Sequence, residues 1–190
     1  STKSRAVNRS SALGSKAPLK ETLAAAMVLL SRWHPELALI DPFCGSGTIP
    51  IEAALIGSNL APGLHRTFAS EKWPVIPKAL WAKAREEAKG LAYYTQPLHI
   101  IGSDIDGEVL SLARYHARQA GVEEKVFFQK IPVSGLRSKR KYGYIICNPP
   151  YGERLGDTKQ AEELYREMGR TFKSLDTWSF YILAAHTNFE

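Results

Sequence analysis

The chain predicts an α/β fold, a doubly wound and mostly parallel sheet of the Rossmann-like kind, and three observations carry that expectation. Short continuous apolar runs recur, each ending in a polar residue, as strands buried on both faces do. Segments with helical periodicity separate them, so strands and helices alternate. The residues able to do chemistry, Asp41, Asp104 and Asn148, all fall at the exits of those runs. That is the edge where open parallel sheets bind ligands.

Residues 1–15 are polar, rich in Ser, Lys and Arg, and without periodicity, so they read as a linker or basic arm. The catalytic domain is expected over residues 16–190. Pro18 opens a helix in which Leu19, Leu23, Ala26 and Leu30 share one face, ending near Ser31 and Arg32. Leu37-Ala38-Leu39-Ile40 is the first strand, ending in Asp41. The turn Gly45-Ser46-Gly47 leads into a helix from about Thr48, with Pro50 tolerated in its first turn.

Residues 57–97 are longer than a simple crossover requires and read as an insertion packed on the rim. They hold a Pro/Gly-rich loop with Trp73 and a charged helix around Lys78 to Lys89. Leu98 to Asp104 is the second strand. Asp106 then reads as the N-cap of a helix carrying Val109, Leu110, Leu112, Ala113 and Ala117, closed by Gly121. Val126-Phe127-Phe128 starts the third strand, Tyr144 to Cys147 is the fourth and Ser179 to Ala185 the fifth. A helix with Leu164, Met168, Phe172 and Leu175 on one stripe joins the last two.

At 190 residues, 44% apolar and 23% charged, the chain is one globular domain with room for a substantial core. No apolar stretch approaches the roughly 18 residues that span a bilayer, and Ser1 to Lys20 has no apolar segment of a secretory signal. Cys44 and Cys147 stand at strand ends with no second pair or nearby histidine. That favours reduced thiols in the cytoplasm over a disulfide or a metal site. The net charge of +6 favours a polyanionic partner. Its clusters are Lys3, Arg5, Arg9, Lys16 and Lys20 in the N-terminal segment and Arg137, Lys139, Arg140 and Lys141 in a loop. The loop is read as a solvated one, the arm as a phosphate contact.

Asp41-Pro42-Phe43-Cys44-Gly45-Ser46-Gly47-Thr48 has the form of a strand-turn-helix junction whose glycines let a ligand approach the backbone. It lacks both the Lys-Ser/Thr ending of a P-loop and the three-glycine dinucleotide spacing. It begins instead with a carboxylate, which repels phosphate and attracts an ammonium or sulfonium. That charge sign points to S-adenosyl-L-methionine. Asp104 is the acidic residue expected on ribose hydroxyls. Asn148-Pro149-Pro150-Tyr151 ends the fourth strand with an amide and a backbone carbonyl on a stiff turn lacking two N–H donors. Such an acceptor-rich rim suits a substrate that donates amino hydrogens, and Tyr151 can cover a flat ring.

These motifs resemble those of class I S-adenosylmethionine-dependent amino-methyltransferases. More narrowly, Asp41 to Ala54, Asn148 to Leu155 and Ala17 to Ala24 resemble the RlmL-like (UPF0020) group of bacterial ribosomal RNA guanine-N2 methyltransferases, whose members have often been labelled N6-adenine-specific DNA methylases. The resemblance implies a cofactor wall of Asp41, Phe43, Cys44, Gly45, Ser46, Gly47, Thr48, Asp104, Ile105, Asp106 and Asn148, with Lys20 and Thr22 from the preceding helix. A carboxylate usual after the third strand is replaced here by Val133-Ser134-Gly135, leaving Ser134 or the backbone to meet the adenine. The resemblance also implies an RNA partner, an N-terminal THUMP RNA-binding domain in the full-length protein, and two further strands, so the chain is expected to be a catalytic-domain fragment. Asn148, Pro149, Pro150 and Tyr151 are the expected catalytic residues, acting on guanine N2 of large-subunit ribosomal RNA. The Asn-Pro-Pro-Tyr logic equally serves adenine N6 in DNA or RNA, or a protein glutamine amide. An inactive RNA-binding module is the non-enzymatic alternative.

Overall fold

The computed structural model describes residues 19–64, 66–150 and 158–184. Five strands form one all-parallel sheet in the order β3-β2-β1-β4-β5: β1 (Ala38–Asp41), β2 (Ile100–Asp104), β3 (Val126–Lys130), β4 (Gly143–Cys147) and β5 (Ser179–Ile182). Helices α1 (Glu21–Leu30), α2 (Thr48–Gly57), α3 (Lys78–Gly90), α4 (Gly107–Gln119) and α5 (Thr158–Phe172) lie between or before them. The expected α/β architecture is what the chain adopts.

Side-chain alternation along the central strands builds two cores. Leu39 of β1 and Ile146 of β4 point to one face, packing with Ala24 and Val28 of α1, Ile49 and Ala53 of α2, and Leu110 and Ala113 of α4. Ala38, Ile40, Ile145 and Cys147 point to the other, against Met168 and Phe172 of α5 and Val133 and Leu136. The sheet is thus wound on both faces. β1 sits at its centre, with Leu39 opposite Ile100 on one side and Tyr144 on the other. The direction of winding reverses between β1 and β4, so Asp41, Asp104 and Asn148 emerge from three adjacent strands.

Two sequence expectations need correction. The buried face of α1 is Ala24 and Val28, not the stripe of Leu23, Ala26 and Leu30, and Leu23 is 42% and Leu30 77% exposed. The reason is the neighbour: α1 packs against α2, and Ala24 and Val28 are the side chains it turns into the core shared with Ile49 and Ala53 of α2. On α4 the buried residues are Leu110, Ala113 and Ala117, while Leu112 faces outward. The basic loop's Arg137 is spent locally, donating to the carbonyls of Ser134 and Leu136. Pro18, the arm with Lys3, Arg5, Arg9 and Lys16, and Ala185 lie outside the described residues.

Gly102 is where the sheet admits the loop above it. A Cβ there would lie 2.8 Å from the Phe128 ring and 3.0 Å from Cys44 Sγ. Replacing it by alanine forces the ring or the Cys44 turn to move, which we expect to cost about 2 kcal/mol, read as a lowered urea midpoint with unchanged slope. An unchanged midpoint would show that the neighbours repack freely.

Candidate active site

β1 delivers Asp41 into the interior, where it is 1% exposed. Its Oδ1 accepts the Phe43 N–H at 3.0 Å, a local turn that ends the strand. Burial pushes its carboxyl up to about 8; the Phe43 N–H opposes the shift and the Asp104 charge adds to it. Burial thus favours the protonated form of Asp41, where the sequence alone suggested a standing carboxylate.

The turn after Asp41 is held from β2. Cys44 N–H donates to the Ser103 carbonyl at 3.0 Å, and Gly45 N–H donates to Asp104 Oδ2 at 3.0 Å. The other oxygen of Asp104 accepts the Asp106 N–H at 3.0 Å, and Asp106 in turn caps α4 by accepting from Glu108 N–H at 2.9 Å. One carboxylate so ties the β1 turn to the β2 turn. A carboxylate has about four acceptor positions, so Asp104 keeps capacity for a further donor. Gly47, at φ 87°, starts α2 from the left-handed region, and a Cβ there would lie 3.0 Å from Ala113 and 3.1 Å from the Phe128 ring. His116 Nδ1 lies 3.1 Å from the Ser46 carbonyl, so the tautomer protonated there ties α4 to the turn. Its position three residues after Ala113, on the edge of the apolar stripe of α4, was the available signal for it.

Asn148 follows β4 and is half buried; its Oδ1 is fully buried without a hydrogen-bond partner among the described residues. Leaving a buried acceptor unpaired costs about 1–3 kcal/mol, so such an atom is either strained or waiting for a donor. Pro149 is buried and Pro150 half buried. The carbonyl of Cys147 is taken by Leu183 N–H at 2.9 Å. Tyr151 and Gly152 to Leu155 lie outside the described residues. Cys44 and Cys147 are buried and unpaired, and burial, with the Asp41 charge next, pushes both thiols upward. Neither is a nucleophile near neutral pH.

The remaining expected cofactor residues surround this centre to different degrees. Phe43, Ser46 and Thr48 are half buried along the turn, and Ile105 at the exit of β2 is 69% exposed. Ser134 is half buried in a single 3-10 turn, Val133–Gly135, after β3. Lys20 occupies the N-cap position of α1 without a side-chain capping bond and Thr22 lies in its first turn, both exposed. Their neighbour Glu21 lines a cavity of about 390 Å³ together with Ser46, Thr48, Glu52, Arg66 and His116. The start of α1 is thus set beside the glycine turn. Sequence reading missed Glu52, which burial and Glu21 push upward against the pull of Arg66.

The family model described as UPF0020, RMKL-like, methyltransferase domain, matches residues 10–190. The chain belongs to this family. It is 52% identical over 174 residues to the Bacillus subtilis (strain 168) protein named "Putative RNA methyltransferase YpsC", covering 92% of this chain and 45% of that one. It is 44% identical over 179 residues to the ribosomal RNA large subunit methyltransferase K/L of Legionella pneumophila (strain Corby), covering 90% of this chain and 25% of that one. The crystal structure of "SMU.472, a putative methyltransferase complexed with SAH" superposes with a TM-score of 0.89 at 47% identity, covering 93% of this chain and 47% of that one. The chain therefore spans less than half the length of these relatives and has the fold of a methyltransferase domain.

The raised carboxyl of Asp41 gives this UPF0020 domain a pH signature. Unfolded, Asp41 ionises near the ordinary aspartate value of 3.8; folded, it does so only at about 8. As pH rises between those values the unfolded state sheds a proton that the folded state keeps. Stability present below pH 4 is then lost at about 1.4 kcal/mol per unit from this group, until about pH 8. Asp41→Asn keeps the Phe43 bond and removes the ionisation. We expect its thermal midpoint to exceed the parent's by a margin that widens from pH 5 to pH 8. Parallel midpoint curves would show that Asp41 stays ionised throughout.

Proposed function

We propose that this domain transfers a methyl group from S-adenosyl-L-methionine to an exocyclic amino nitrogen of a nucleobase, most specifically guanine N2 in large-subunit ribosomal RNA. The observation that carries the reading is the buried, unpartnered Oδ1 of Asn148 at the exit of β4, one strand from Asp41. The chemistry of the site fits this cofactor. Asp41 is a buried acid suited to a cationic group, Asp104 has spare acceptor capacity for ribose hydroxyls, and Ile105 offers an exposed apolar surface to a flat ring. Phe43, Cys44 and Ser46 to Thr48 form the backbone turn below it, Asp106 holds the start of α4, and Ser134, Lys20 and Thr22 stand at the periphery. The SAH-bound relative and the ribosomal RNA relative support donor and substrate class in turn.

When bound, the cofactor supplies an electrophilic methyl on a sulfonium centre. The protein's task is the nucleophile. An exocyclic amino nitrogen is weakly reactive because its lone pair is delocalised into the ring. Asn148 Oδ1 and the Pro149 carbonyl would accept its two hydrogens, turning the lone pair out of conjugation and stabilising the positive charge that grows on nitrogen. The diproline fixes the carbonyl and removes competing N–H donors. The nitrogen becomes acidic after transfer and loses a proton without a dedicated base. Tyr151 would stack on a base drawn out of its helix. In this reading residues 16–190 are the catalytic domain, 57–97 its insertion and 1–15 a basic arm following a THUMP domain of the full-length protein, which works in the cytoplasm.

Asn148→Ala should lower methyl transfer at least 100-fold while the cofactor Kd changes less than threefold. Tritiated methyl transfer to rRNA, DNA and protein, with calorimetry of cofactor binding, checks both. Retained transfer, or equal loss of both, overturns the assignment. Mass spectrometry of rRNA from a deletion strain then locates the missing methyl.

Pairing a cation with Asp41 requires its ionised form, so binding below about pH 8 must release a proton. The cofactor Kd should fall close to tenfold per unit between pH 6 and 7.5, with proton release visible as a dependence of binding heat on buffer. A flat Kd places the cation elsewhere.

A further inference from the structure

The insertion between α2 and β2 is elaborately held and yet exposes its apolar side chains. Phe68 stacks on Trp81 with centroids 5.8 Å apart at 19°, and the Arg85 guanidinium lies 5.8 Å from the Trp81 ring centre. Arg85 also donates to Glu71 Oε1 at 2.6 Å and to the Arg66 carbonyl at 2.8 Å, while Glu71 Oε1 accepts the Phe68 N–H at 2.8 Å. Five residues so lock the head of the insertion. Despite that, α3 buries no residue, Trp73 is 57% and Val75 81% exposed, and Leu80 points outward beside them. A rigid support under exposed aromatic and aliphatic groups is the construction of a docking surface rather than of a core.

Its charge says what docks. Residues 66–91 carry six cations and three carboxylates, so 26 of 190 residues hold half of the net charge of +6. One of those carboxylates, Glu71, is already paired with Arg85. Lys72, Lys78 and Lys83 flank Trp73 and Leu80 in sequence, are all exposed, and form no salt bridge among the described residues. Cations interleaved with an exposed indole match a single-stranded nucleic acid, whose phosphates need charge and whose bases need a stacking face.

Two tethers join the insertion to the rest of the domain. Arg66 lines the cavity shared by Thr48 and Glu52 near the start of α2, and the end of α3 is fastened to the end of α2 by the Asn59 amide on the Leu91 carbonyl at 2.9 Å. The head of the insertion is thus tied to a residue of the cavity beside the glycine turn, through the Arg85 bond to the Arg66 carbonyl, and its tail to the end of α2.

We propose that this insertion is a platform on which a single-stranded stretch of the RNA substrate lies beside the methyl-transfer site, its bases stacking on Trp73 and its phosphates held by Lys72, Lys78 and Lys83. The inference rests on the reading of the site as an RNA methyltransferase. The test uses the full-length protein, a fluorescein-labelled mixed-sequence 15-nucleotide RNA as binding probe and deproteinised rRNA as methyl acceptor. Trp73→Ala should weaken the 15-mer about tenfold, and the triple variant K72A/K78A/K83A should reduce the salt slope by about two. Both should keep the parent's cofactor Kd and thermal midpoint while raising KM for rRNA. Parent-like RNA affinity and slope in both variants overturn the platform. So does a loss of self-association in Trp73→Ala with RNA binding intact, which assigns the surface to a second copy. A parent that labels protein or DNA but not RNA overturns the underlying function instead, so the two failures are distinguishable.

Discussion

The bond from Gly45 N–H to Asp104 Oδ2 is the constraint on which the rest of the site depends. It joins the turn after β1 to the exit of β2, and through the second oxygen it also sets the Asp106 cap of α4. Remove that carboxylate and three things loosen together: the glycine turn, the start of α2 behind it, and the start of α4. The backbone is stiffened here where a ligand must approach it, so the turn need not be ordered at the moment of binding. The same carboxylate lies close enough to Asp41 to raise its proton affinity further. A single side chain so links the shape of the pocket to its charge.

That link explains why a buried acid is tolerated at the end of β1. An unpaired carboxylate in this interior is costly, and the protein meets the cost by keeping the proton. The result is a buried acid whose ionisation is favoured by a cation brought against it. Asn148 follows the same logic with an acceptor instead of an acid: its Oδ1 is desolvated in advance and unsatisfied until a donor enters. Both groups destabilise the empty domain slightly in order to bind selectively. Their neighbours are built to withstand it, with Ile40, Ile145 and Cys147 closely packed around β1 and β4.

The strand-helix alternation was legible in the sequence because each strand is a short apolar run with a polar exit, and the exits named Asp41, Asp104 and Asn148 together. Side-chain periodicity was less informative for α1, since Leu23 and Leu30 are as apolar as Ala24 and Val28. Only the close approach of α2 decides which pair is buried. The proton on Asp41 was illegible for a similar reason. Its ionisation depends on how completely the sheet encloses it, which no local pattern records. His116 and Glu52 belong to helices whose identity was clear but whose facing was set by neighbours 70 and 31 residues away in sequence, Ser46 and Glu21. Tyr151, the residue most suggestive of a flat substrate, lies outside the described residues and remains a reading of sequence.

The insertion carries the clearest contrast with the rest of the chain. At the centre of the sheet burial follows apolarity: β1 is buried along its whole length and α2 along most of its surface. Between α2 and β2 the rule inverts, with tryptophan, valine and leucine outside and an arginine within the bonded centre. Stability alone does not favour that arrangement, because turning Arg85 outward and Trp73 inward would bury more apolar area. The Arg85 network makes sense as the means of holding a surface in one shape while leaving it uncovered. A crossover that had only to reach β2 would need neither the network nor the exposed indole. What the extra residues add to the fold is a basic face with an exposed indole, held in shape by the Arg85 network.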